Sequence, residues 1–206
     1  MWRSLFSPRK TFESIQGKDL SGGLLVIALI ALFSAWAGYI YSFKLPILQI
    51  PGIGQNGGFQ NPDTFRTNMA ILLAIGSGLG GVVEWLVLSV LIFLAGRLMI
   101  GKGSFRKMLA LTAFSSMPLI IQQILRLIDS YTVPEQTLLS MMSAGSSTQN
   151  LLISQILSVF TVFGIWSFAI TLVAVSVNYE ASKRRAFAAT LTAYILFMLL
   201  RAFTPI

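Results

Sequence analysis

Few residues in this chain could do chemistry, and Glu84 stands out among them. The sequence has no histidine and no cysteine, which removes the commonest general base, the commonest metal ligand and every thiolate. No catalytic residue, cofactor or metal is therefore expected. Glu84 is the one acid inside a long apolar run, Met69 to Ile100, and a carboxylate at membrane depth has to be paired, hydrated or protonated. At ~1.5 Å per helical residue it lies on the order of 20 Å from Arg97. Arg201 lies roughly 24 Å from Arg185, and Arg126 roughly 28 Å from Lys107. The depth count makes Arg201 the expected partner and Arg126 the second, since the long Arg126 stem could instead reach the outer surface. Such a pair either fixes helix register or forms a proton or ion site, and the register role is the expectation.

Two glycine patterns imitate nucleotide sites. Gly76, Gly78 and Gly81 have the spacing of a dinucleotide fingerprint, but no strand precedes them and no βαβ unit surrounds them. Close helix packing through Gly76 and Gly80, four residues apart, or a local break is expected instead. Gly96, Gly101 and Lys102 resemble a phosphate loop, yet Gly103 stands where a hydroxyl should hold magnesium. A tight turn between two spans, with Ser104 capping the next helix, accounts for the same residues. Pro118 lacks a backbone donor and predicts a kink near Phe114. Gln122, Gln123 and Gln155 predict interhelical hydrogen bonds.

The elements that carry these residues follow from composition. Of 206 residues, 55% are hydrophobic and only 11% charged, too few charges to clothe a soluble domain. Runs of about 20 apolar residues, enough to cross a ~30 Å core, predict an all-α polytopic membrane bundle. Its five transmembrane helices cover about 23–43, 78–100, 108–128, 151–177 and 186–203, within one domain spanning 1–206. Eleven of the fifteen Lys and Arg residues fall on one side of these spans, leaving Lys44, Arg66, Arg126 and Arg201 on the other. The excess marks the cytoplasm, so the N-terminus is expected inside and the C-terminus outside. Trp36, Tyr39, Tyr41, Trp166, Tyr179 and Tyr194 are candidates for interfacial anchors or for core packing.

Residues 1–19 read as a short cytoplasmic interfacial helix. Ser7 and Pro8 start it, Phe12 and Ile15 share a face, and Trp2, Leu5 and Phe6 help seat it. Arg9, Lys10, Lys18, Lys102, Arg106 and Lys107 are expected against anionic lipid headgroups. The net charge of +8 is scattered between apolar runs, so nucleic acid is not an expected partner.

Three stretches together resemble the Yip domain family, membrane proteins named for interacting with Ypt and Rab GTPases. They are Ser7-Pro8-Arg9-Lys10-Thr11-Phe12-Glu13-Ser14-Ile15, the run Leu98 to Thr112 continuing through Phe114-Ser115-Ser116-Met117-Pro118-Leu119, and Ser182-Lys183-Arg184-Arg185-Ala186. The resemblance covers about Pro8 to Ala202 and implies five spans, no catalytic chemistry and a role in organising membranes. The Asp-Leu-Tyr-Gly-Pro motif of eukaryotic members has no counterpart in these residues, so the resemblance carries small-GTPase binding only weakly and suggests a prokaryotic plasma membrane. The expected function is a non-enzymatic adaptor or membrane-organising protein that recognises lipid, a membrane partner or a second copy of itself. The alternative is a small transporter, channel or lipid scramblase that uses Glu84 and the Pro118 kink.

Overall fold

The computed structural model describes residues 7–15, 20–44, 62–137 and 161–203. Every long element among them is a helix: α1 (Pro8–Ser14), α2 (Leu20–Lys44), α3 (Pro62–Met99), α4 (Phe105–Ser115), α5 (Met117–Thr132), α6 (Val162–Asn178) and α7 (Lys183–Phe203). Two are long and apolar enough to cross a membrane, Leu20–Lys44 and Asp63–Met99. The bent pair α4–α5 makes a third if taken as one span. The first ten residues of the expected span 151–177, and Trp2, Leu5, Phe6, Lys18 and Gln155, lie outside the described residues.

The helix that carries the expected span 78–100, α3, extends well beyond it: it starts at Pro62 and runs unbroken for 38 residues, roughly 57 Å. Its glycines do not interrupt it, because an isolated glycine costs a helix only about 1 kcal/mol and the run from Asp63 to Met99 contains no proline.

Small residues let α2 pack against α3, α4 and α5. Opposite α3, a Cβ placed on Gly78 would stand 3.2 Å from Ala31 O and 3.2 Å from Ala35 Cβ, and one on Gly38 would collide with the Ser77 side chain. Opposite α4, a Cβ on Gly23 would lie 2.9 Å from Ala113 Cβ, and one on Gly22 2.9 Å from the Phe114 ring. Ser34 Oγ adds a donor to Ser77 O at 3.1 Å. Among the described residues a Cβ on Gly76 or Gly80 meets nothing within 4 Å. Between them, Gly78 is the glycine that α3 turns toward α2.

Pro118 acts on the backbone as its chemistry requires. The chain bends by 41° between α4 and α5, and Pro118 itself is fully buried. Leu119 N donates to Ser116 O at 2.9 Å rather than to Ser115 O, four residues back. Ser167 Oγ, on α6, donates to that Ser115 carbonyl at 2.9 Å, so the opened ladder becomes a contact between helices. One turn earlier, Ser89 and Thr112 share a buried 2.6 Å hydrogen bond between α3 and α4.

The α3–α4 turn explains the imitation phosphate loop. Gly101 has φ +132°, where a side chain is strained, and its N–H donates to Gly96 O at 3.2 Å. Ser104 Oγ accepts from Lys107 N at 3.3 Å and so caps α4. The Tyr179 ring, just past α6, lies so close to Gly96 and Gly103 that a Cβ on either would collide with it. The Tyr179 hydroxyl donates to Phe93 O at 2.7 Å; burial pushes its pKa up, with Arg97 opposing in part, so the donor stays protonated. These glycines make room for a tyrosine and not for a phosphate. Tyr179 and Tyr194 are both buried in the core and are therefore not surface anchors.

Helix α1 packs against α6, with Phe12 fully buried and Ile15 nearly so. The shared apolar face was expected, but it docks on protein where lipid was expected. Ser7 occupies the N-cap position without a side-chain cap hydrogen bond.

Gly96→Ala should force its methyl group into the Tyr179 ring and destabilise the protein by about 1–3 kcal/mol, as overpacking does. Thermal unfolding in detergent should show the loss. Tyr179→Ala made together with Gly96→Ala should cost less than the sum of the two single changes; strict additivity would contradict the clamp.

Candidate functional site

Glu84 occupies the C-terminal half of α3 and Arg201 the last turn of α7, and these two helices pack side by side. Arg201 Nη2 lies 3.4 Å from Glu84 Oε1, with side chains 33% and 42% exposed. The ion pair to Glu84 comes from Arg201 and not from Arg126, which is exposed on α5. A second ion pair, Arg9 Nε to Glu13 Oε1 at 2.9 Å, lies within α1 and is mostly exposed, so it ties no helices together.

Some of the other polar groups join helices and some do not. Thr161 Oγ1 accepts from Gly164 N at 3.0 Å, capping α6, and donates to Gln122 Oε1 at 3.3 Å. Gln123 Oε1, Trp85 Nε1 and Asn178 Oδ1 are buried and carry no hydrogen bond. Among the described residues no three Asp or Glu side chains converge as a metal site would require.

At the end of the bundle holding the α2 C-terminus, polar contacts cluster that the sequence reading missed. Lys44 Nζ donates to Tyr131 O at 2.9 Å and to Val133 O at 2.8 Å, which satisfies carbonyls at the end of α5. Arg66 does the same for Phe43 O at the end of α2. The Tyr41 hydroxyl donates to Asp129 Oδ2 at 2.6 Å, and Trp36 Nε1 to the Tyr131 hydroxyl at 3.1 Å. A lysine in the last turn of an apolar helix was a readable signal; the identity of its acceptors, some ninety residues away, was not.

At the opposite end, Lys102 and Arg106 are exposed, Lys107 is half-buried, and Lys183, Arg184 and Arg185 are exposed on the adjoining turn. The Tyr179 clamp brings these two turns together. Exposed Leu98, Met99 and Phe105 stand beside them, so the basic groups border an apolar surface.

Chemically, the Glu84–Arg201 pair supplies a carboxylate and a guanidinium side by side, with no imidazole or thiol beside them to act as a nucleophile or a general base near neutral pH. It can hold charge, fix register or bind a polar group. Glu84→Leu should leave Arg201 without its counter-charge and destabilise the protein, by less than the ~3–5 kcal/mol of a fully buried pair because both groups are partly exposed. Glu84→Leu with Arg201→Leu should recover much of that loss in thermal unfolding. Equal losses in the single and double variants would mean that the pair does not couple the helices.

No curated protein and no solved structure matches the chain. The sequence model of the Yip1 domain matches residues 2–203, which takes in all the described helices and both members of the ion pair. The chain is a membrane protein that belongs to the Yip1 domain family.

Proposed function

We propose that this protein is a non-enzymatic, five-span membrane-organising protein or adaptor with a cytoplasmic N-terminus and an external C-terminus. The observation that carries this reading is how the described polar groups are used. Ser34, Ser89, Thr112, Ser167, Tyr179 and Lys44 all bind one helix or turn to another, while the clamped basic turns offer charge to a surface. A bundle stitched in this way presents a fixed shape to lipid or to a membrane partner. Membrane lipids are the partners best supported, because exposed apolar side chains and basic groups adjoin at the turns as they do at a headgroup boundary. A second reading, a small transporter, channel or scramblase, draws on the half-exposed Glu84–Arg201 pair and the bend at Pro118.

Single cysteines added to this cysteine-free chain test the orientation. An impermeant thiol reagent applied to intact cells should label position 146 and spare position 102; the reverse pattern would overturn the topology. Proteoliposomes distinguish the two readings. The adaptor reading expects no ion leak, proton uptake or lipid scrambling above empty vesicles, whereas flux that Glu84→Gln abolishes would establish the transporter.

A further inference from the structure

The contact between Glu84 and Arg201 is unusually open for an ion pair between two apolar helices. At 3.4 Å it is longer than the ~2.7–2.9 Å of a close charge-assisted hydrogen bond, and about a third or more of each side chain remains exposed. A guanidinium has five donors and a carboxylate two acceptor oxygens, so the contact leaves capacity unused on both. The helices that carry the pair present apolar side chains outward nearby in sequence: Val83 and Leu86 on α3 and Leu199 and Leu200 on α7 are all exposed. Beside the carboxylate the surface recedes, because Gly80 lies one helical turn from Glu84 and a Cβ there meets nothing within 4 Å among the described residues.

Lipid tails cannot complete such a pair, and a simple ion suits only half of it. An anionic headgroup would meet Arg201 but be repelled by Glu84; a cation would meet the opposite fate. The group that satisfies both carries an ammonium and a phosphate a few ångströms apart. Depth agrees with this. Counted along its helix as above, Arg201 lies roughly 24 Å from Arg185 and Glu84 roughly 20 Å from Arg97, in the outer part of a ~30 Å hydrocarbon core. A headgroup drawn roughly 6–10 Å inward from its own leaflet reaches that level.

We propose that the Glu84–Arg201 pair is a lateral binding site for an aminophospholipid headgroup, whose ammonium donates to the Glu84 carboxylate and whose phosphate accepts from Arg201. The site rests on the membrane-spanning reading of α3 and α7 and adds a ligand class to it.

Native mass spectrometry of the full chain tests this with phosphatidylethanolamine and phosphatidylglycerol supplied in equal amounts. The wild type should retain phosphatidylethanolamine in preference. Glu84→Gln should shift the ratio toward phosphatidylglycerol by about tenfold, the scale of one hydrogen bond to a charged group, and Arg201→Gln should lower retention of both. Equal retention by the wild type, an unchanged ratio in Glu84→Gln, or a dimer that excludes both lipids would overturn the site. A second measurement needs no variant. In nanodiscs, membrane-soluble dicyclohexylcarbodiimide should modify Glu84 more slowly as phosphatidylethanolamine replaces phosphatidylglycerol. Modification insensitive to the lipid would overturn the headgroup site alone, whereas equally fast modification by a water-soluble carbodiimide would overturn the membrane placement of α3 and α7 as well.

Discussion

A polar group inside an apolar bundle has no water to turn to, and most of this structure is arranged around that constraint. Helices satisfy their own backbones except at ends and breaks. At the break before Pro118 the freed Ser115 carbonyl takes a donor from Ser167. At helix ends Lys44 and Arg66 supply the donors, and Tyr179 adds one to a carbonyl within α3. Each of these contacts joins segments distant in sequence, so the bundle is held in register by the same bonds that satisfy its backbone.

Close approach comes from small residues. Gly22, Gly23 and Gly38 bring α2 against its neighbours, and Gly78 receives Ala31 and Ala35. Between lipid-like surfaces there is little hydrophobic drive for association, so contact of this kind carries much of the packing. The same logic governs the basic turns. The Tyr179 ring fills the space left by Gly96 and Gly103, and two cationic loops become one face.

What could be read from the sequence was whatever depends on one residue or one helix. The all-helical fold followed from composition, the bend from the proline that cannot donate, the Ser104 cap from its place before α4, and the choice of Arg201 over Arg126 beside Glu84 from a fixed rise per residue. What could not be read depends on which face of a helix turns inward. Gly76 and Gly78 are equally plausible packing residues until α2 is in place, and only the fold shows that Gly78 is used. Phe12 similarly has an apolar face suited to lipid or to protein, and α6 decides the matter. That the apolar run from Met69 to Ile100 holds a span could be read, but not that its helix reaches back to Pro62 through polar residues.

The central claim is that α3 and α7 meet inside a membrane with their ion pair open sideways to lipid. Spin labels placed one at a time at Val83 and Leu200, which flank the pair on the two helices, test it most directly through their accessibility to oxygen and to a water-soluble nickel chelate in bilayers. Both labels should be relaxed strongly by oxygen and weakly by nickel, as lipid-facing positions are. Strong relaxation by nickel at both would reveal a water-filled path, and weak relaxation by either agent a closed protein interface; each result would contradict the account.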